Sequence, residues 1–378
     1  MNDGSQRRAN SGTSGVGERR ITSRLPVSPF PLTTEPVGCV TGTTTARRSI
    51  PSRNTILFLR FSESPIVKVS VVVCTYTMDR YDVFTAAVES ALAQTYDPIE
   101  VVLVIDGNPG VYERAAEDFG DRENVVISDN DENQGISYSR TRGAELASGE
   151  IVAFIDDDGV AEEDWIANLV DVYEETDAIA VGGDVRPNWQ GERPGFFPEE
   201  FYWLVGCVEP DFAEDGEEVR NTYGSNISYR RDAFLEVGGY DPNTGRKGDK
   251  HLQAHEAPVG IRLLEEFGQG MVYTEDAVVH HTLFEYRGEF RWLVFRSFWQ
   301  GYSKRVMDLL YPDAPDAKGD YLKWLLTDRV PRRVEGLVRS PSTAAVTQLG
   351  AIGAFTAAVG LGYLYAMATP ELVEKANS

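Results

Sequence analysis

Three adjacent carboxylates, Asp156, Asp157 and Asp158, close the apolar run 151–155. That run is short, β-branched and aromatic, the pattern of a buried strand. Its carboxyl end is where an open α/β sheet receives its ligands. Carboxylates this close repel one another unless cations neutralise them. A hard divalent ion, Mg2+ or Mn2+, itself carrying a phosphate, suits an all-oxygen site that keeps some water. A solvated acidic turn is the plainer alternative in so acidic a chain.

Further polar groups fall at other strand ends. The spacing predicts strands over 69–74, 99–105, 124–127, 151–155 and 178–183, with helices over 82–93, 111–119 and 136–147. Such alternation implies βαβ units and a largely parallel sheet. Thr75 and Tyr76 follow the first strand, Asp106 and Gly107 the second. Asn133-Gln134-Gly135 opens the third helix, which carries Ser139 and Arg140. No G-x-G-x-x-G follows the first strand and no G-x-x-x-x-G-K-[ST] occurs, so dinucleotide and P-loop chemistry are not indicated.

Composition narrows the classes further. The chain has 378 residues, 42 % of them hydrophobic, and a formal net charge of −23. Residues 1–60 run the other way, with nine Arg, no Lys and three acids. The acidic remainder excludes a basic nucleic-acid footprint. Only seven Lys stand beside 29 Arg and 59 acids, a surface suited to a high-salt cytoplasm that screens its self-repulsion. Cys39, Cys74 and Cys207 are too scattered for a disulfide framework or a metal-ligand spacing, so a reducing compartment is the default.

Five segments follow from this pattern. Residues 1–66 read as a disordered basic extension and 67–283 as the catalytic α/β domain. Residues 284–340 mix aromatics with Arg, as interfacial helices do, although a buried amphipathic helix has the same pattern. Residues 344–366 carry no charge and are long enough to span a bilayer; a buried helix pair is the alternative. A short tail, 367–378, ends the chain. Arg329, Arg332, Arg333 and Arg339 precede the apolar run and only Lys375 follows, which puts the catalytic body in the cytoplasm of a membrane-bound protein.

The ordered motifs resemble the inverting, family 2 glycosyltransferases of the GT-A fold, an α/β architecture with a Rossmann-like sheet and flanking helices. Gly149-Glu-Ile-Val-Ala-Phe-Ile-Asp-Asp-Asp158 is similar to that family's G-E-x-I-x-F-x-D-D-D almost letter for letter, with Trp165 following. Gly224-Ser-Asn226, Arg230-Arg231, Gly238-Gly-Tyr-Asp241, Gly245-Arg246, Arg262-Leu263 and Ala277-Val-Val-His-His281 continue the pattern, so the likeness covers roughly 67–305. The apolar segment and the acidic composition extend it to the membrane-associated glycosyltransferases of archaeal S-layer protein N-glycosylation.

The resemblance implies roles residue by residue. Thr75 and Tyr76 would line the base pocket of a nucleotide-sugar donor, a UDP-sugar, and Asp106 would accept from the uracil imide. Asn133 and Arg140 would bind the nucleotide sugar, Arg140 neutralising the diphosphate oxygens through its donor fork. Asp156 and Asp157 would bind the nucleotide sugar, and Asp156, Asp158 and His281 would hold Mg2+ or Mn2+, with His280 an adjacent rival. Glu256 would be the general base, and His255 stands where the family carries an acid, so it would share that role or tune it. The acceptor would be a lipid-linked glycan of the dolichol phosphate type, at the cell membrane. An exopolysaccharide or glycolipid transferase shares the same fold and mechanism, and an inactive membrane scaffold is the alternative outside enzymes. Retention of Asp106, Asp156, Asp158 and Glu256 speaks against the scaffold.

Overall fold

The computed structural model describes residues 66–242, 256–312 and 318–369. The basic extension predicted at the start of the chain, Cys39, Gly245-Arg246, His255 and the tail after residue 369 lie outside them. Among the described residues nine strands form one sheet in the order β3-β2-β1-β4-β8-β6-β9-β5, with β7 paired to β9.

The first half of the sheet is parallel. It comprises β1 (Val69–Thr75), β2 (Ile99–Asp106), β3 (Val125–Asn130) and β4 (Ile151–Asp156). β1, β2 and β4 are buried along almost their whole length, which is why they are continuous apolar runs rather than alternating ones. Helices α1 (Tyr81–Leu92), α2 (Pro109–Phe119) and α3 (Ile136–Leu146) connect them. Asn108 caps α2, its side chain accepting from Val111 N–H at 3.3 Å, and Pro109 takes a first-turn position whose N–H would have had no partner. The register aligns Cys74 with Asp156 and Thr75 with Ile105, so the ends of β1, β2 and β4 finish at one level.

The far half departs from the parallel expectation. β5 (Gly159–Ala161), α4 (Trp165–Glu175) and β6 (Ala180–Trp189) follow, then the two-residue β7 (Glu218–Val219) and β8 (Ile227–Arg230). β8 runs antiparallel between β4 and β6, because the chain reaches it by a loop excursion instead of a crossover helix. After α5 (Arg231–Glu236) and α6 (Glu256–Phe267), β9 (Met271–Leu283) is parallel to β6 and antiparallel to β5 and β7. The sheet is therefore mixed.

A polar knot fastens the sheet at the end remote from the carboxylates. Glu100 accepts from Lys68 Nζ at 2.8 Å, from the Ser70 hydroxyl, and from both the N–H and the hydroxyl of Ser148. Burial alone would push its carboxyl up, but these donors hold it at about 2. A carboxyl depressed on folding stabilises fully above its unfolded value near 4.5 and loses that contribution as pH falls towards about 2. Glu100→Gln is expected to cost about 2–3 kcal/mol at neutral pH, and the difference from the parent should shrink through that window in denaturant titrations.

The C-terminal helices form a separate layer. They are α7 (Phe290–Leu310), α8 (Lys318–Trp324), α9 (Val330–Arg339) and α10 (Thr343–Ala368), with a π-helical turn over Leu325–Arg329. α10 covers the predicted apolar span and is long and apolar enough to cross a membrane. One face, with Ala351, Ile352, Phe355, Ala358, Gly362 and Ala366, docks on the protein, while Leu361, Leu364, Tyr365 and Met367 stay exposed. Glycines set the docking distance. A Cβ at Gly301 of α7 would come within 1.9 Å of Val359 O, and one at Gly362 within 1.8 Å of Phe298 O. Arg333 joins α9 to the 3-10 helix Glu199–Val205 and to α10, donating to the two oxygens of buried Glu200 and to Gln348 Oε1, each at 2.6 Å.

Candidate active site

A cleft of about 2160 Å³ opens at the level where β1, β2 and β4 end, and it reaches across to α7 and α10. Thr75, Tyr76, Asp106, Asn133, Arg140, Asp156, Asp157, Asp158, Glu256 and His281 all line it. The predicted residues thus share one cavity, His255 alone falling outside the described residues.

Asp106 has little acceptor capacity to spare. Asn130 Nδ2 and Gln134 N–H donate to Oδ1 at 2.7 and 2.8 Å, and Gly135 N–H donates to Oδ2 at 2.8 Å. A carboxylate has about four lone-pair sites, so roughly one is left for a ligand. The main work of Asp106 is to pin the loop that enters α3. Thr75 likewise turns inward: its hydroxyl donates to Asp157 Oδ2 at 2.8 Å, whereas Tyr76 is exposed.

Arg140 is the bridge of the site. Its side chain is 3 % exposed, and it reaches Asp156 Oδ1 and Gly224 O through Nη2, the latter at 2.9 Å. Nη1 lies 3.9 Å from Glu256 Oε1, and the guanidinium lies over the Tyr240 ring. Glu256, the first residue of α6, also accepts from Gly224 N–H at 3.1 Å. One buried cation therefore ties the end of β4 to the start of α6.

Asp157 and Asp158 face other cations. Arg80 contacts Asp157 Oδ2 at 3.3 Å and Asp158 Oδ2 at 3.4 Å. Burial, and next the charge of Asp158, push Asp157 up to about 6 against the pull of Arg80 and Thr75. Arg287, on the 3-10 turn Glu285–Gly288, donates to Asp158 Oδ2 at 2.9 Å and meets His281 Nε2 at 2.8 Å. His281 Nε2 also lies 3.2 Å from Asp158 Oδ1. Strand alternation separates the two histidines: His280 faces away and contacts Glu162 Oε1 at 2.9 Å. Gly206 (φ +78°) makes room for the imidazole, since a Cβ there would come within 3.0 Å of His281 Cε1.

Asp158 and Arg287 pull the protonation of His281 in opposite directions. Burial disfavours a proton on the imidazole, but Asp158 outweighs it and raises His281 to about 10, whereas the Arg287 guanidinium has no acceptor for an N–H. The contact with Arg287 is a hydrogen bond only when Nε2 carries a lone pair, in the neutral tautomer with the proton on Nδ1. That is the form in which an imidazole ligates a metal through Nε2. Among the described residues no three His, Cys, Asp or Glu side chains form a complete metal cage. One carboxylate and one imidazole nonetheless fit an ion that keeps water and substrate phosphate for its remaining ligands. Asp156 is engaged with Arg140, so within the predicted metal set the close pair is Asp158 and His281.

Sequence reasoning missed Arg80 and Arg287. Three adjacent carboxylates demand cations, but with 29 Arg in the chain no spacing singles out these two. Other motif residues serve the scaffold. Trp165 Nε1 donates to Asn226 Oδ1 at 2.7 Å, and Arg262 clamps the turn after α5 by donating to Val237 O and Gly239 O.

Carboxylates gathered at parallel strand ends, bridged by a buried arginine and facing a carboxylate on a following helix, define a GT-A-type glycosyl-transferring site. The family model "Glycosyl transferase family 2" matches residues 70–238. Over 313 residues the chain is 64 % identical to the glucosyl-dolichyl phosphate glucuronosyltransferase of Haloferax volcanii, covering 82 % of this chain and all of that protein. Glycosyltransferase GlyG of Streptococcus pneumoniae is 30 % identical over 171 residues, covering 44 % of this chain and 54 % of that protein. Among solved structures, a mannosyltransferase from Pyrobaculum calidifontis, in complex with GDP-Man and Mn2+, superposes with a TM-score of 0.51 at 19 % identity. That superposition covers 82 % of this chain and 89 % of the other, and it bears on the fold. The chain belongs to glycosyl transferase family 2 and is a glycosyltransferase.

Proposed function

We propose that the protein transfers a glucuronosyl unit from a UDP-activated donor to glucosyl-dolichyl phosphate, with inversion, at the cytoplasmic face of the cell membrane and in the service of protein N-glycosylation. Identity of 64 % over the full length of the Haloferax volcanii enzyme carries this reading. The cleft supports it, because its walls run from the carboxylate centre to α10, an apolar helix suited to lie beside a lipid tail. The alternative of an inactive scaffold is set aside by the assembled carboxylates and Arg140.

The chemistry follows from the side chains. Glu256 takes the proton of the acceptor hydroxyl as that oxygen attacks the anomeric carbon. The new C–O bond forms on the face opposite the leaving diphosphate, whose bond to the same carbon breaks, so the configuration inverts. Arg140 neutralises the diphosphate oxygens from a buried position, where a preformed positive charge is worth most. Asp158 and His281 would hold the divalent ion, with Asp156 and Asp157 at the nucleotide sugar. When bound, the ion supplies Lewis-acid stabilisation of the leaving nucleoside diphosphate. Thr75, Tyr76 and Asn133 border the nucleotide, and Asp106 fixes the loop that receives it.

Purified protein given UDP-glucuronate and glucosyl-dolichyl phosphate should form the lipid-linked disaccharide, seen by mass spectrometry. EDTA should stop the reaction reversibly, and Asp158→Asn should abolish it. Full turnover in metal-free buffer would sink the metal assignment; transfer only to a lipid-free glycan would sink the acceptor.

A further inference from the structure

If Asp158 and His281 hold the divalent ion, as proposed above, a side chain of this protein already stands in that position. Arg287 directs one N–H to His281 Nε2 at 2.8 Å and another to Asp158 Oδ2 at 2.9 Å. These are the lone pairs that a metal would use. A guanidinium and a divalent cation cannot share them, because each needs the same electrons and the two charges repel. We propose that Arg287 is a resident cation at the divalent position, which keeps Asp158 and His281 in ligand geometry and leaves only when a diphosphate is present to receive it.

Charge balance makes the exchange conditional. Two carboxylates, Asp157 and Asp158, are opposed here by two guanidiniums, Arg80 and Arg287. Adding a divalent ion alone would leave an unbalanced double positive charge beside buried groups, which is costly. Adding the ion together with a nucleoside diphosphate restores the balance. The same fork that fits Asp158 and His281 then fits phosphate oxygens, since Arg binds both kinds of acceptor bidentately. The location suits a short swing: Arg287 sits on a four-residue 3-10 turn that borders the cleft, its guanidinium over the rings of Phe284 and Tyr286. Arg80 remains against the carboxylates when Arg287 moves. The consequence is order: the enzyme takes up Mn2+ with or after the nucleotide and discriminates against the free ion.

Mn2+ binding by the purified full chain, read by electron paramagnetic resonance of free Mn2+ and by calorimetry, tests this without any turnover. The parent should hold Mn2+ with UDP present and weakly without it. Arg287→Gln should bind Mn2+ alone about tenfold or more tightly than the parent, within the range seen when partners of metal ligands are changed. It should also bind UDP more weakly. Arg287→Lys keeps the buried charge and should fall between the two, which guards against a mere folding defect. Adding Asp158→Asn to Arg287→Gln should erase the gain. No gain for Arg287→Gln without UDP, or a gain that survives Asp158→Asn, overturns the role of Arg287. If the parent fails to hold Mn2+ even with UDP, the metal reading itself falls, and this inference with it.

Discussion

Glu256→Gln is expected to lower glycosyl transfer by a factor of about 10²–10⁴, the usual contribution of a positioned general base. Glutamine keeps the shape of the side chain and can still accept from Gly224 N–H, the 3.1 Å contact that fixes Glu256 at the head of α6. It cannot take a proton. Donor affinity should survive, because Asp156 ends β4, Asp158 follows it and His281 sits on β9, and none of them is hydrogen-bonded to Glu256 directly. Transfer rate and UDP-sugar affinity, measured together, separate the two. Near-normal transfer would remove Glu256 from the mechanism and turn attention to His255. If Glu256 is the base and His255 only tunes it, His255→Ala should cost less than Glu256→Gln.

Much of the donor half was legible in the sequence, for a physical reason. Strands buried on both faces must be apolar throughout, so β1, β2 and β4 stood out, and the polar residues that end them had to gather at one edge. The mixed half of the sheet was less legible. β8 is four residues long and β7 two, too short to carry a period, and the antiparallel turn at β8 depends on where a long loop returns. Glu100 gave no local sign that it would sit at the centre of a four-donor knot, because those donors come from two segments distant from it in sequence, 68–70 and 148.

Within the site, residue types were readable and pairings were not. His280 and His281 differ only in which face of β9 they occupy, and that is fixed by pairing Gly159 with His281. Asp106 read as a ligand to a base, whereas its oxygens mostly hold Asn130 and the loop at 134–135. Arg80 and Arg287 are brought to the carboxylates by two short 3-10 turns whose sequences carry no charge pattern of their own. The 23-residue apolar run announced α10, yet its docking on α7 through Gly301 and Gly362 follows from the absence of side chains, which leaves no periodic signal.

Arg140→Met is expected to damage stability and activity together. Methionine fills part of the volume and keeps the apolar stem, but Asp156 and Glu256 lose the cation between them. Removing one partner of a buried ion pair costs about 3–5 kcal/mol; Asp156 is 31 % exposed and can recruit water, so about 3 kcal/mol is expected here. Transfer should fall by about 10²–10³, since the preformed charge opposite the diphosphate is gone. A second substitution distinguishes the two effects. Adding Asp156→Asn to Arg140→Met removes one of the stranded carboxylates and should return roughly 1–2 kcal/mol, a non-additivity characteristic of residues in direct contact. It should return none of the activity, because neither the diphosphate contact nor the setting of Glu256 is rebuilt. Unfolding by denaturant beside transfer rates for the two single variants and the double variant provides the measurement. If Arg140→Met unfolds no earlier than the parent, Arg140 does not bridge the two carboxylates. If the double variant regains transfer, its contribution is structural alone, and the diphosphate must be neutralised elsewhere, with Arg80 and Arg287 the cations at hand.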